Sequence, residues 1–316
     1  MAPIDSYTIN KTTSHKNVSR LAGQNRYETA AKISQNNWNE ADTAVLVSGQ
    51  SYADALSAAP FAKLKNAPIL LTSSNTLDSN TKSELSRLKV RTVYIIGGTG
   101  VVSSSIESSL RNMKMVVKRI SGNDRYATSL EVAKQIKGPK QVFVASGAGF
   151  ADGLSVSSYA SLSGSPIILT DGKQLSSDIL KYVKDNSSTP YVIGGNGVVD
   201  DSVVSSLGAV RISGSDRYST NLAILNKFND KYDLSNIYLA SGSDFADALS
   251  GSAVAGEKSA PVVLIGKSDL SGAKNYIQGK LSGVGQITIL GGEASVSQVT
   301  VNTVSYTHLR AHETEL

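Results

Sequence analysis

Four short motifs recur in the same order three times, so the chain must fold as one unit used three times. The first motif reads Arg20-Leu21-Ala22-Gly23-Gln24-Asn25-Arg26-Tyr27. It returns as Arg119-Ile120-Ser121-Gly122-Asn123-Asp124-Arg125-Tyr126 and Arg211-Ile212-Ser213-Gly214-Ser215-Asp216-Arg217-Tyr218. The second is Tyr52-Ala53-Asp54-Ala55-Leu56-Ser57, then Phe150-Ala151-Asp152-Gly153-Leu154-Ser155, then Phe245-Ala246-Asp247-Ala248-Leu249-Ser250. An apolar run follows at Pro68, Pro166 and Pro261, and a Gly-Gly pair at 97–98, 194–195 and 291–292. Arg26, Arg125 and Arg217 are 99 and 92 residues apart, and the step from motif Asp to Pro is 14 residues in every copy. A unit of about 95 residues is domain-sized, not a solenoid repeat.

Within the first unit the apolar period predicts helices over 26–35, 54–65, 79–88 and 103–113, and strands over 44–47, 69–72, 93–96 and 115–120. The last strand is read as opening the second unit. Short, continuous, β-branched strands suit a parallel sheet covered by helices on both faces. The fold class is therefore α/β, with three similar doubly wound modules. No strand follows the last helix of the third unit (298–304), whereas a short stretch at 17–21 precedes the first, a hint that the units close into a ring.

Several chemistries fall away. Without Cys there is no disulfide, thiolate zinc site or cysteine nucleophile. His15 lies in a polar leader, 1–19. His308 and His312 lie in a tail, 305–316, that matches nothing upstream and reads as a cloning scar or read-through. The repeats thus contain no histidine to activate Ser48, Ser146 or Ser241. The Gly-Gly turns lack the dinucleotide spacing and a P-loop Lys. Each unit repeats one Asp, joined only in the third by Asp244, too few carboxylates for a two-metal site. No cofactor is expected, and no apolar run of about 18 residues spans a membrane. Binding is favoured over catalysis.

The net charge of +5 resides in the first unit, with 12 Lys and Arg against 7 Asp and Glu; the other two units are balanced. Aromatics are 6% and do not interleave with basic runs, which argues against nucleic acid. A discrete anionic polymer gripped by a few arginines per unit fits better. In open parallel sheets ligands bind beyond the carboxyl ends of the strands, where all the repeated polar residues fall. Arg26, Ser48, Asp54, Thr72 and Gly97-Gly98 are expected on one edge, with Arg125, Ser146 and Asp152, and Arg217, Ser241 and Asp247, as their counterparts. Helix N-termini and an Arg favour anions there. An architectural reading stands beside this. The motif aspartates suit helix capping, as do Asn25, Asp124 and Asp216. Arg26 can pair with Asp54, and Tyr27, Tyr126 and Tyr218 can pack at the core edge.

Taken together, R-I-S-G-x-D-R-Y, S-G-x-x-F/Y-A-D-A/G-L-S, the P-I-L-L-T-type strand and I-G-G resemble the cell wall binding repeat 2 family of clostridial and related Gram-positive surface proteins, over residues 20–304. The resemblance implies three Toprim-like modules in a pseudo-trimer, with repeats at 20–118, 119–210 and 211–304. It implies a non-covalent anchor at the cell wall, exported with loss of a signal peptide. The partner implied is an anionic cell wall polysaccharide, teichoic-acid-like or a secondary wall polymer, with other surface-layer proteins besides. Arg26, Arg125, Arg217, Asp54, Asp152 and Asp247 are carried onto the binding edges, with Ile69, Leu70 and Leu71 as the apolar strand motif. Leu21-Ala22, Asn25 and Ile265 depart from the pattern, so the sites are expected to be unequal. Two other readings stay open: a surface-layer or adhesin protein with protein partners, and a metal-dependent Toprim-like enzyme.

Overall fold

The computed structural model describes residues 17–267, 270–280 and 283–305. The first stretch is β1 (Asn17–Leu21), α1 (Arg26–Asn37), β2 (Thr43–Ser48), a 3₁₀ turn (Ala55–Ser57) running into α2 (Ala58–Leu64), β3 (Ile69–Thr72), α3 (Ser79–Arg87), β4 (Thr92–Ile96), α4 (Ser104–Asn112) and β5 (Val116–Ile120). The pattern repeats as α5 (Arg125–Ala133), β6 (Gln141–Ser146), α6 (Ala151–Ser163), β7 (Ile167–Thr170), α7 (Ser177–Asp185), β8 (Thr189–Ile193), α8 (Asp201–Leu207) and β9 (Val210–Ile212). It repeats again as α9 (Arg217–Lys227), β10 (Asn236–Ser241), α10 (Ala246–Glu257), β11 (Val262–Ile265), α11 (Ser271–Gln278), β12 (Gln286–Leu290) and α12 (Gln298–Ser305). Residues 54–65, expected as one helix, divide because Pro60 cannot donate to the Leu56 carbonyl.

Three four-stranded sheets result, in the orders β3-β2-β4-β5, β7-β6-β8-β9 and β11-β10-β12-β1, every pair parallel. Helices flank each sheet, giving the three α/β modules. The strand at 115–120 leads into the second unit but does not join its sheet. As β5 it pairs with β4, Thr92 opposite Val116 and Ile96 opposite Ile120, because the α4 crossover returns the chain to the open edge of the sheet it has just left. The third sheet obtains its fourth strand from the other end of the chain. β1 lies beside β12, Asn17 opposite Gln286 and Leu21 opposite Leu290, and the three units close into a ring. Asn17, Val18 and Ser19, read as the end of the leader, are therefore strand. Residues 1–16 and 306–316 lie outside the described residues.

At the centre α2, α6 and α10 pack on one another. Both α6 and α10 are buried along most of their length and are built from Ala, Ser and Gly with few large side chains, so their axes approach closely. Ser157 and Ser252 hydrogen-bond across that contact at 2.6 Å, and a Cβ on Gly256 would strike Ser161. Outside this hub the inner strands carry the burial, while the edge strands β1, β5 and β9 stay partly exposed. Val45, Leu46, Val47, Val142, Phe143, Val144 and Leu239 are at zero exposure, each worth about 1.5–3 kcal/mol of burial.

Candidate functional site

From β2 the chain crosses to β3 on one side and then to β4 on the other, which makes the carboxyl ends of β2 and β4 a topological switch point. Asp54 enters that crevice. It is 6% exposed, and a Cβ on Gly97 would lie 2.7 Å from its Oδ2. Gly97 also has φ +117°, so glycine is required there for two reasons. Asp152 sits in the same way against Gly194, and Asp247 against Gly291. The capping role considered for these aspartates does not arise: Asp54 makes no cap bond, and the N-cap residues of α6 and α10 are Phe150 and Phe245. Asn25, Asp124 and Asp216 are true N-caps, each accepting backbone amides of its helix.

The arginine beside each aspartate comes from the next unit. Asp54 faces Arg125 and Thr128, Asp152 faces Arg217, and Asp247 faces Arg26. The pairing of Arg26 with Asp54 is thereby corrected. They stand at different junctions, because the loop after β5 (121–124) carries Arg125 over the crevice of the preceding unit. Arg125 Nη1 donates to the Gly147 carbonyl at 2.6 Å and Arg217 Nη1 to that of Gly242 at 2.7 Å; Arg26 does the same to Gly49. Each guanidinium also lies over an aromatic ring of the preceding unit: Arg125 over Tyr52 (5.8 Å), Arg217 over Phe150 (5.1 Å) and Arg26 over Phe245 (5.7 Å). Those three rings contact one another, with centroids 5.8, 6.3 and 6.3 Å apart. One face of the molecule thus carries a triangle of aromatics ringed by three arginines, each above a buried carboxylate.

Burial raises the pKa of all three carboxyls, against the pull of the neighbouring arginine. For Asp152 the value reaches about 6. Cavities open at two junctions. One of about 260 Å³ is lined by Asp54, Gly98, Asn123 and Arg125. The other, about 160 Å³, is lined by Arg26, Asp244, Asp247 and Ser295. A roomier hollow of about 420 Å³ lies within the second unit, where Asp124, Asp171 and Asp178 supply charge and no Lys or Arg is present. That hollow offers no cation, whereas each of the two junction cavities carries an arginine.

Other expected residues serve the frame. Ser48, Ser146 and Ser241 are nearly buried at the strand ends, where their Oγ atoms accept the amides of Gln50 and Ser51, of Ala148 and of Ser243. Thr72 and Thr170 pair in register with Ser48 and Ser146 and donate to the Thr76 and Gln174 carbonyls; Ile265 stands at that place in the third unit. Ile69, Leu70 and Leu71 are 2% exposed or less, inside β3. The rings of Tyr27, Tyr126 and Tyr218 pack directly on Gly49, Gly147 and Gly242. Thr29, Thr128 and Thr220 join the site beyond the residues expected from the sequence; their Oγ1 atoms each accept an amide, of Gly23, Gly122 and Gly214, at 3.0 Å. So do Arg20, Arg119 and Arg211, which donate to the Gly291, Gly97 and Gly194 carbonyls at 2.6–2.7 Å. Both sets were visible, since Arg-Tyr-x-Thr and the leading Arg occur in every copy.

The comparisons agree with this architecture. The profile of the cell wall binding domain 2 (CWB2) matches residues 20–107, 119–204 and 211–301. The N-acetylmuramoyl-L-alanine amidase LytC of Bacillus subtilis is 36% identical over 288 residues, covering 90% of this chain and 57% of that protein. Cwp8 from Clostridium difficile superposes with a TM-score of 0.84 at 30% identity, over 92% of this chain and 51% of that one. Cwp6 from the same organism gives 0.85 at 28%, over 97% and 50%. The chain spans about half the length of the relatives it matches. With three profile matches falling on three sheets and their junctions, the chain belongs to the CWB2 family of cell wall binding domains.

Proposed function

We propose that the chain is a wall anchor that works at the cell surface after export. It binds an anionic secondary wall polymer, teichoic-acid-like in its repeated negative charge, through the junctions between its units. The observation that carries this reading is the common placement of Arg26, Arg125 and Arg217 around one face, each held by a glycine carbonyl of its own unit and an aromatic ring of the preceding one. A guanidinium fixed in this way loses little freedom when it meets an anion. Weak sites on one face add up on a long polymer, because after the first contact the others bind at high effective concentration, with gains of ~10²–10⁴. The amidase activity named for LytC belongs to that protein, and the likeness to it runs through binding-domain repeats.

The test is sedimentation with purified Bacillus subtilis wall, before and after hydrofluoric acid removes phosphate-linked polymers. Binding is expected to fall on stripping, to weaken between 0.05 and 0.5 M salt as charge screening sets in (Debye length about 10 Å at 0.1 M), and to be lost when Arg26, Arg125 and Arg217 are all changed to Ala. Binding that ignores both stripping and salt moves the ligand to peptidoglycan or protein.

A further inference from the structure

The three junctions share a plan but differ at one position. Ser51, Gly149 and Asp244 stand three residues before the motif aspartate in units one, two and three. Asp244 therefore brings a second carboxylate to the junction where the third unit meets the first. Its Oδ2 holds Arg26 Nη2 at 2.9 Å, while Arg26 Nη1 is taken by the Gly49 carbonyl. Among the described residues neither Arg125 nor Arg217 forms such an ion pair; Ser51 and Gly149 have no charge to offer. The N-cap aspartate Asp124 is not an equivalent neutraliser. Its Oδ1 is bound to the Ala127 amide, at the positive end of α5, and it makes no ion pair with Arg125. The closing junction also has the smaller of the two cavities, about 160 Å³ against 260 Å³. Asp244 raises the pKa of Asp247, as Asp124 raises that of Asp54, so it is the ion pair with Arg26 that sets the closing junction apart.

We infer that Asp244 sets the number of anion sites: it occupies Arg26 in place of the polymer, so that the junctions of Arg125 and Arg217 receive the anionic groups and the third is closed by the protein's own carboxylate. This rests on the anionic-polymer reading above and makes it finer. An internal carboxylate competes with every polymer phosphate for the same guanidinium edge, and it is present at fixed, high local concentration. The same pair joins the first unit to the last, so one residue serves both ring closure and selectivity.

The experiment uses Asp244→Asn, which keeps the oxygen that accepts the Phe245 amide (2.6 Å) and removes the charge. Asp244→Ser, which copies the first unit, is the second variant. Sedimentation with untreated and acid-stripped B. subtilis wall is measured at four salt concentrations, beside Arg125→Ala/Arg217→Ala and Asp244→Asn/Arg26→Ala. Both Asp244 variants are expected to bind untreated wall about three-fold more tightly, the size of one partly exposed ion contact, and with a steeper salt dependence. Adding Arg26→Ala to Asp244→Asn cancels the gain. Arg125→Ala/Arg217→Ala weakens binding about ten-fold or more. If that pair weakens binding but neither Asp244 variant strengthens it, the inference is overturned and the anchor reading stands. If the pair has no effect and stripped wall binds equally well, the anchor reading itself fails, and the inference with it. Unfolding midpoints of both Asp244 variants separate any loosening of the ring from a change at the site.

Discussion

Burial holds the Asp152 carboxyl at about 6 rather than 3.8, with the Arg217 charge opposing the shift and failing to cancel it. The folded state therefore takes up a proton more readily than the unfolded chain. The stabilisation this gives is complete below about pH 4 and is lost as pH rises through 6. Asp152→Asn removes the dependence. Its stability is expected to match that of the wild type near pH 4 and to exceed it by about 2 kcal/mol at pH 7, measured by urea unfolding across that range. A variant no more stable at pH 7 would mean that Arg217 outweighs burial. At this scale the sequence showed which residues matter and not whom they meet. Arg26 and Asp54 are both repeated, and their nearness along the chain suggested a pair. Arg26 instead stands at the crevice of Asp247, where it pairs with Asp244, and Arg125 stands at that of Asp54; this depends on how whole units sit side by side, which no local spacing encodes.

Among the elements, the strands were the most legible, because a buried parallel strand is written as a short β-branched run. Residues 69–72 fold as read. The strand at 115–120 is legible as the lead into the second unit, and its place in the first sheet is not. A repeated pattern has no intrinsic starting point, and only the α4 crossover decides that β5 completes the sheet behind it. The central helices were harder to read, since α6 and α10 lack a polar face and their small residues resemble loop composition. Their role is close approach. Gly256→Ala is expected to cost about 1–3 kcal/mol, because Ser161 occupies the space a methyl would need. Gly197→Ala, with no heavy atom within 4 Å, is the neutral control in the same urea titration.

For the whole molecule, the ring is closed by β1 on β12 and by the Arg26–Asp244 ion pair. Deleting residues 1–21 leaves an open edge on β12 and removes Arg20 from the Gly291 carbonyl. The melting temperature is expected to fall by roughly 5–10 °C, and small-angle scattering should show a larger radius with the third unit loosened. An unchanged profile would mean that the central helices alone hold the ring. The hint of closure was present in the sequence as the short stretch at 17–21 ahead of the first unit.

The way each sheet is finished has an implication for ancestry. If a single unit is cut before its leading strand, as the third unit is cut from β9, it holds three strands of its own and lends its first to the sheet behind it. Such a chain alone has one unfinished sheet and one unpaired strand, and it satisfies both only by joining copies of itself head to tail. Three copies close that exchange, and each then places its arginine over a neighbour's carboxylate, as Arg125 lies over Asp54. The single chain seen here is what fusion of such a homotrimer would produce. Once fused, the copies were free to differ, and a carboxylate such as Asp244 could arise at one junction without being imposed on the other two.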